Sequence, residues 1–247
     1  MDIELKDGER IDDLEYKGLK IIQNKEGFCF GVDSVLISDF AKNVRKGSTV
    51  LDLGTGTGII SILLSKKQDN LKIYGIEIQP DVAEMAERSV RLNGLENDIK
   101  IINDNLKNLE NYFELNSIDA IVTNPPYKKN NTGLKSDDYR NLVSRHEIEC
   151  TLEDIIVISK KLLKDKGEIY MINRAERLID IVTLMTNNRL EPKEIRFVHS
   201  KQNDKPTLVL IKEVKNAGEF LKIEKPLIIY NENGEYTDEI IEIYNKK

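Results

Sequence analysis

The stretch Thr49-Val50-Leu51-Asp52-Leu53-Gly54-Thr55-Gly56-Thr57-Gly58-Ile59-Ile60 decides the fold. Its first five residues are β-branched or apolar around a single acid and read as a buried strand. Ile59 to Lys67 carries apolar residues at helical spacing, with Lys66 and Lys67 in the last turn, where cations suit the helix dipole. Between them the glycines predict a sharp turn whose backbone lies against a ligand with no Cβ in the way. The helix behind such a turn offers free N–H groups and a partial positive charge.

Working outward, the same alternation repeats. Strands are predicted over 72–76, 99–102, 118–123 and 168–172, then over 194–199 and 207–212, the last two joined by a polar loop. Helices are predicted over 80–92, with Pro80 and Asp81 in the first turn and Asn93-Gly94 as the stop, and over 178–187. A further helix is predicted over 151–163, with Thr151 as N-cap, Asp154 as its reciprocal partner and Gly167 as its stop. This order predicts an α/β, Rossmann-like fold: a mostly parallel seven-stranded sheet with a C-terminal antiparallel hairpin and helices on both faces. Residues 1–45 are too few for an independent core and are expected to pack on it as a small N-terminal subdomain or lid. Residues 46–247 form the main domain, with a tail in which an Asn233-Gly234 turn precedes an amphipathic segment over 240–244.

Dinucleotide-binding folds place a pyrophosphate at such a turn with a GxGxxG spacing. Here Gly54, Gly56 and Gly58 give GxGxG, and Asp52 precedes them, an acid better suited to a cationic, amino-bearing ligand than to a phosphate. Glu77 ends the second strand, where a carboxylate accepts from both ribose hydroxyls. Asp104 follows the third, where it can accept from an adenine amino group. Three acids and a glycine turn on one sheet edge describe a pocket for a nucleoside bearing a positive centre, with a nicotinamide-cofactor domain as the main alternative.

Asn124-Pro125-Pro126-Tyr127 separates the two. The prolines fix φ and bias their predecessors away from helix, so the loop is stiff. Their missing N–H groups leave the Asn124 and Pro125 carbonyls as outward acceptors, and the Asn124 side chain adds another. Such an array accepts both protons of a planar NH2 group, which frees its lone pair to attack an electrophile by positioning and electrostatics alone. Tyr127 offers a face on which a splayed base can stack.

Composition adds bounds. The 247 residues are 40% hydrophobic and 32% charged, enough for a core beneath a solvated surface. No run is apolar enough to span a bilayer, and the charged N-terminus is unlike a signal peptide, so a cytoplasmic protein is expected. Cys29 and Cys150, with His146 and His199, fit no zinc spacing, and no metal is expected. The net charge of −6 argues against coating nucleic acid nonspecifically, so any phosphate contacts must be concentrated locally.

With these residues in hand the chain resembles the N-methylating branch of the class I methyltransferases that use S-adenosylmethionine (SAM). More closely it resembles the bacterial valine-tRNA adenine-N6 methyltransferases, which modify adenosine 37 beside the anticodon. The resemblance runs through Phe30-Gly31-Val32-Asp33-Ser34, the glycine loop, Asn124 to Tyr127, and Ser144-Arg145-His146-Glu147. It continues in Val198-His199, Lys205-Pro206 and Asn233-Gly234-Glu235-Tyr236-Thr237. It implies a SAM site from Asp33, Asp52, Gly54, Gly56, Gly58, Glu77, Asp104 and Asn124, and a target-nitrogen site from Asn124, Pro125, Pro126 and Tyr127. It implies tRNA contacts from Tyr127, Lys128, Lys129, Arg145 and His146, with Lys135, Arg140, Lys201 and Lys205 as further cations and Phe28 and Phe30 as lid contacts. Two alternatives stay open: methylation of a release-factor glutamine, and a non-catalytic SAM- or RNA-binding module.

Overall fold

In the computed structural model the described residues are 3–25, 31–125 and 150–244. The central sheet runs β3 (Thr49–Leu53), β4 (Lys72–Glu77), β5 (Ile99–Asn103), β6 (Ile118–Thr123), β7 (Leu163–Arg174), β8 (Leu190–His199) and β9 (Pro206–Lys215) in chain order. In space the order is β8-β9-β7-β6-β3-β4-β5. The strands from β3 to β7 pair in parallel, and β9 runs antiparallel to both neighbours. Two strands of two residues each, β10 (Lys222–Ile223) and β11 (Leu227–Ile228), line the outer side of β8. The seven expected strands and the terminal hairpin are all present.

Period-two alternation splits each strand between two cores. Val50 and Ile73 face one cluster with α1 (Val32–Phe40), α2 (Ile59–Lys67), α3 (Pro80–Leu92) and α6 (Asp238–Ile243). Leu51 and Leu53 face another with α4 (Leu152–Leu162) and α5 (Leu178–Asn187). Burying each such Leu or Ile is worth about 1.5–3 kcal/mol, so one misplaced register residue would forfeit a whole face. Thr151 caps α4 in a reciprocal box with Asp154, as expected.

Gly167 does not stop that helix. The chain passes from α4 straight into β7 at Leu163, and Gly167 lies within the strand. The reason is a bulge: Ile118 pairs with Leu163 and Ala120 with Glu168, so four residues of β7 face Asp119 alone. There a Cβ on Gly167 would lie 2.9 Å from the Lys164 carbonyl oxygen.

The N-terminal segment holds a hairpin of β1 (Glu9–Asp13) and β2 (Lys20–Asn24), followed by α1. The Ile22 amide donates to Ser89 Oγ at 3.0 Å, and Asn93 exchanges hydrogen bonds with the Lys20 backbone, which fasten the hairpin to α3. Buried Arg88 of α3 donates to both Glu9 carboxylate oxygens, at 2.7 and 2.6 Å, and to Glu84. Leu14, Leu19, Ile21 and Val35 share one apolar cluster with Val50 and Ile60 of the sheet domain.

Candidate active site

The sheet reverses its order between β3 and β6, because β4 and β5 build outward on one side of β3 and the chain then returns to the other. Ligands of open α/β sheets bind in the crevice outside the carboxyl ends at such a point. Four predicted site residues emerge along that edge, in spatial order Asp104, Glu77, Gly54 and Asn124.

The glycine loop is held from beneath. The Gly54 and Thr55 amides both donate to the Ile76 carbonyl at 3.0 Å, closing the turn onto β4. Gly54, Gly56 and Gly58 have φ of 75°, 57° and 91°, the left-handed region that favours glycine. A Cβ on Gly54 or Gly56 would project into open space, so ligand atoms can approach the backbone there.

Asp52 faces into the protein and is 1% exposed. Its Oδ2 accepts from Thr55 Oγ1 at 2.6 Å and from Ser61 Oγ and the Ser61 amide at 2.8 and 3.2 Å, so it ties the loop to the first turn of α2. Oδ1 is buried with no hydrogen-bond partner among the described residues. Burial pushes the carboxyl up to about 6, against the lowering pull of the Thr55 and Ser61 donors. The residue expected to meet a ligand thus stands behind the loop as a buried, half-satisfied acid.

Glu77 is 4% exposed and bridges two loops: Oε2 accepts from the Gly56 amide at 3.1 Å and Oε1 from the Gln79 amide at 3.0 Å. Asn103 braces this edge by donating to the Glu77 carbonyl at 2.8 Å. Asp104 accepts from Asn108 Nδ2 at 2.7 Å, from Tyr112 OH at 2.8 Å and from the Asn105 amide at 2.6 Å. Those bonds, Asn108's first, hold its carboxyl below the usual range and keep it an acceptor.

Asn124 follows β6, whose last residue, Thr123, pairs with Leu53. The buried Thr123 hydroxyl donates to the Leu53 carbonyl at 2.9 Å, so the strand leading to Asn124 is pinned to the one leading to Gly54. Asn124 is half-buried and Pro125 buried. Asp33 lies in the first turn of α1. Pro126, Tyr127, Lys128, Lys129, Lys135, Arg140, Arg145 and His146 lie outside the described residues, as do Phe28, Cys29 and Phe30. His199 Nδ1 is 2.7 Å from the Asp204 carbonyl oxygen, and burial pushes the Cys150 thiol up to about 12.

The sequence reading missed three supports: Thr55 with Ser61, Thr123, and Gly75. A Cβ on Gly75 in β4 would lie 2.8 Å from Ile101 Cδ1 and 2.9 Å from both Thr55 Cγ2 and Oγ1. Small hydroxyls three and nine residues after the acid were the available signal.

Comparison with known proteins bears on this geometry. Residues 30–188 match the model of the methyltransferase small domain. A tRNA1(Val) (adenine(37)-N6)-methyltransferase of Porphyromonas gingivalis is 28% identical over 239 residues, covering 94% of this chain and 93% of the relative. One from Actinobacillus pleuropneumoniae is 26% identical over 225 residues, covering 91% and 92%. Among solved structures, a protein of Agrobacterium tumefaciens described as an O-methyltransferase superimposes with a TM-score of 0.70 at 18% identity, over 86% of this chain and 95% of that one. TYW2 of P. horikoshii, solved with MeSAdo, gives a TM-score of 0.60 at 16% identity, over 86% and 73%. These structures share the fold. No helix among the described residues is long and apolar enough to cross a membrane.

Proposed function

We propose, for a chain that belongs to the methyltransferase small domain family, that it transfers a methyl group from SAM to the N6 amino nitrogen of an adenosine in tRNA. Adenosine 37 of valine tRNA, the target in the names of its relatives, is the substrate this reading assigns. The observation that carries the reading is the Thr123–Leu53 pairing, which brings Asn124-Pro125 out of the sheet directly beside the glycine loop.

The residues fit the cofactor. Open space fronts Gly54 and Gly56, the acids Glu77 and Asp104 stand at the next two strand ends, and the buried Asp52 carboxyl behind the loop favours positive charge in front of it. SAM supplies, when bound, an electrophilic methyl on a sulfonium centre. The Asn124 side-chain oxygen and the Pro125 carbonyl accept the two amino protons, which draws the nitrogen lone pair out of conjugation and aims it. The N–CH3 bond would form as the S–CH3 bond breaks, and the surplus amino proton, acidified by the new bond, would pass to solvent, so no strong base is required. In this reading Tyr127 stacks the base, Lys128, Lys129, Arg145 and His146 meet RNA, and residues 1–45 cover the site with Asp33 on the cofactor side.

The test is transfer of labelled methyl from SAM into a panel of purified tRNAs, followed by nucleoside analysis. The expected product is N6-methyladenosine in valine tRNA, with Asn124→Ala abolishing transfer while leaving SAM binding intact. Label in protein and never in RNA would overturn the reading in favour of an amide substrate.

A further inference from the structure

The outer end of the same sheet edge carries a feature that methyl transfer does not use. Three tyrosines from the tail form a ladder. Tyr244, Tyr236 and Tyr230 stack with ring centroids 5.7 and 5.4 Å apart and interplanar angles of 17° and 12°. The ladder runs from a buried ring to an exposed one: Tyr244 is 7% exposed and Tyr230 36%. One face of Tyr230 is stacked on Tyr236, and the residue remains 36% exposed.

The backbone around it is fixed. Tyr230 and Tyr236 form a β-bridge, and Thr237 donates through its amide and hydroxyl to the carbonyls of Ile229 and Ile228. The Tyr230 amide donates to the Ser200 carbonyl at 2.9 Å, which sets the exposed ring beside the β8–β9 loop. That loop carries Lys201 and Lys205, both exposed and without an ion pair among the described residues. Lys67, Lys161 and Lys164 are engaged by carboxylates, whereas Lys201 and Lys205 share their unpaired state with exposed lysines such as Lys72 and Lys100 and differ from them in standing beside the tyrosine ladder. The loop's own acid, Asp204, is exposed and accepts from the Lys201 amide through Oδ2. Glu232 and Glu235 lie in the turn between the two stacked rings.

We propose that this part of the edge docks RNA: an unpaired base stacks on the Tyr230 face opposite Tyr236, and neighbouring phosphates pair with Lys201 and Lys205. The inference rests on the RNA-methylating reading above and adds where the substrate is gripped. Tyr230 follows β11, four strands from β6, and at ~4.8 Å per strand that is roughly 19 Å from Asn124. The base on Tyr230 is therefore a neighbour in the RNA, distinct from the one methylated. A rigid aromatic face with adjacent cations is how unpaired nucleotides are held without base-edge readout.

The test uses the full chain and a methylatable tRNA. Tyr230→Ala is expected to weaken tRNA binding about 5-fold to 150-fold, with kcat at saturating tRNA and SAM affinity unchanged, and Tyr230→Phe to restore it. Lys201→Gln with Lys205→Gln is expected to flatten the dependence of log affinity on log salt by about 1.4, at roughly 0.7 per phosphate. If Tyr230→Ala lowers the melting temperature, Tyr230→Leu, which keeps apolar cover on Tyr236, decides. Wild-type RNA affinity in a folded Tyr230→Leu, or an unchanged salt slope in the lysine variant, overturns the docking surface alone. A wild-type enzyme that methylates no RNA overturns the reading beneath it as well.

Discussion

Gly75→Ala is the sharpest perturbation of the site, because it touches no ligand and acts only through packing. The added Cβ would meet Ile101 Cδ1 at 2.8 Å and Thr55 Cγ2 and Oγ1 at 2.9 Å, against about 3.5–4.0 Å for comfortable carbon contacts. Ile101 Cδ1 is the far end of a side chain and can swing. Thr55 cannot, since its hydroxyl is held at 2.6 Å by Asp52 and its amide by Ile76. Relief therefore requires the glycine loop to lift and the Asp52 bond to stretch. Overpacking of this kind costs about 1–3 kcal/mol, and at about 2–4 °C per kcal/mol for a domain of this size the melting temperature should fall by roughly 2–12 °C. A loop displaced at the cofactor face should also weaken SAM by about tenfold for each 1.4 kcal/mol of misfit. Differential scanning calorimetry and titration calorimetry read the two effects separately. Thr55→Ser in the same background removes Cγ2 and should recover part of both. Wild-type melting and SAM affinity in Gly75→Ala would refute the claim that the β4 floor sets the loop.

Three further outcomes follow from charges. Asp52, raised to about 6 by burial, binds its proton more tightly folded than unfolded. Apo stability from this group should therefore fall by about 3 kcal/mol as pH rises from about 4 to 6. Asp52→Asn should erase that slope, and wild-type SAM affinity should climb through the same window as the carboxylate ionises; a pH-independent affinity would count against it. Glu213 is fully buried, no other described residue donates to either of its oxygens, and burial holds it well above the carboxylate range. Glu213→Met should raise stability at neutral pH by about 1–3 kcal/mol, measured by denaturant unfolding, with no gain as the contrary result. Arg88→Met should cost about 1–3 kcal/mol, because it takes the guanidinium from Glu9 and Glu84 while, among the described residues, only the Lys6 amide still donates to Glu9. It should speed hydrogen exchange selectively in the β1–β2 hairpin, and uniform exchange would contradict that anchoring. Because Arg88 holds Glu84 down at about 2, the wild-type clamp should persist as pH falls below 4.5 and fail only near 2.

How much of this could be read from sequence varied with what fixes each element. Strands β3 and β6 and helices α2 and α3 have local causes, apolar runs and helical spacing bounded by Gly, Pro or Asn, and their ends were predicted to the residue. The hairpin escaped because Glu9–Asp13 is mostly polar and largely exposed, and its stability comes from Arg88, Ser89 and Asn93, 67 to 79 residues on. Gly167 looked like a helix stop because a bulge opposite Asp119 leaves no signature in one strand alone. In the site, residues at strand ends were legible, since topology carries every one of them to the same edge. What Asp52 contacts was not, because its donors Thr55 and Ser61 meet it only once the turn has closed.

The two-residue strands β10 and β11 have a bearing beyond the active site. Between them the Glu224 amide donates to the Ile195 carbonyl, so the outer rim of β8 is filled by short patches rather than one long ladder. A rim closed that way offers no continuous template for a second chain. Clipping the protein after residue 217 would strip that seal from the β8 rim and also remove α6, whose Ile240 and Ile243 belong to the core cluster shared with α1 and α2. Such a fragment should self-associate through the bared rim and the uncovered core face together.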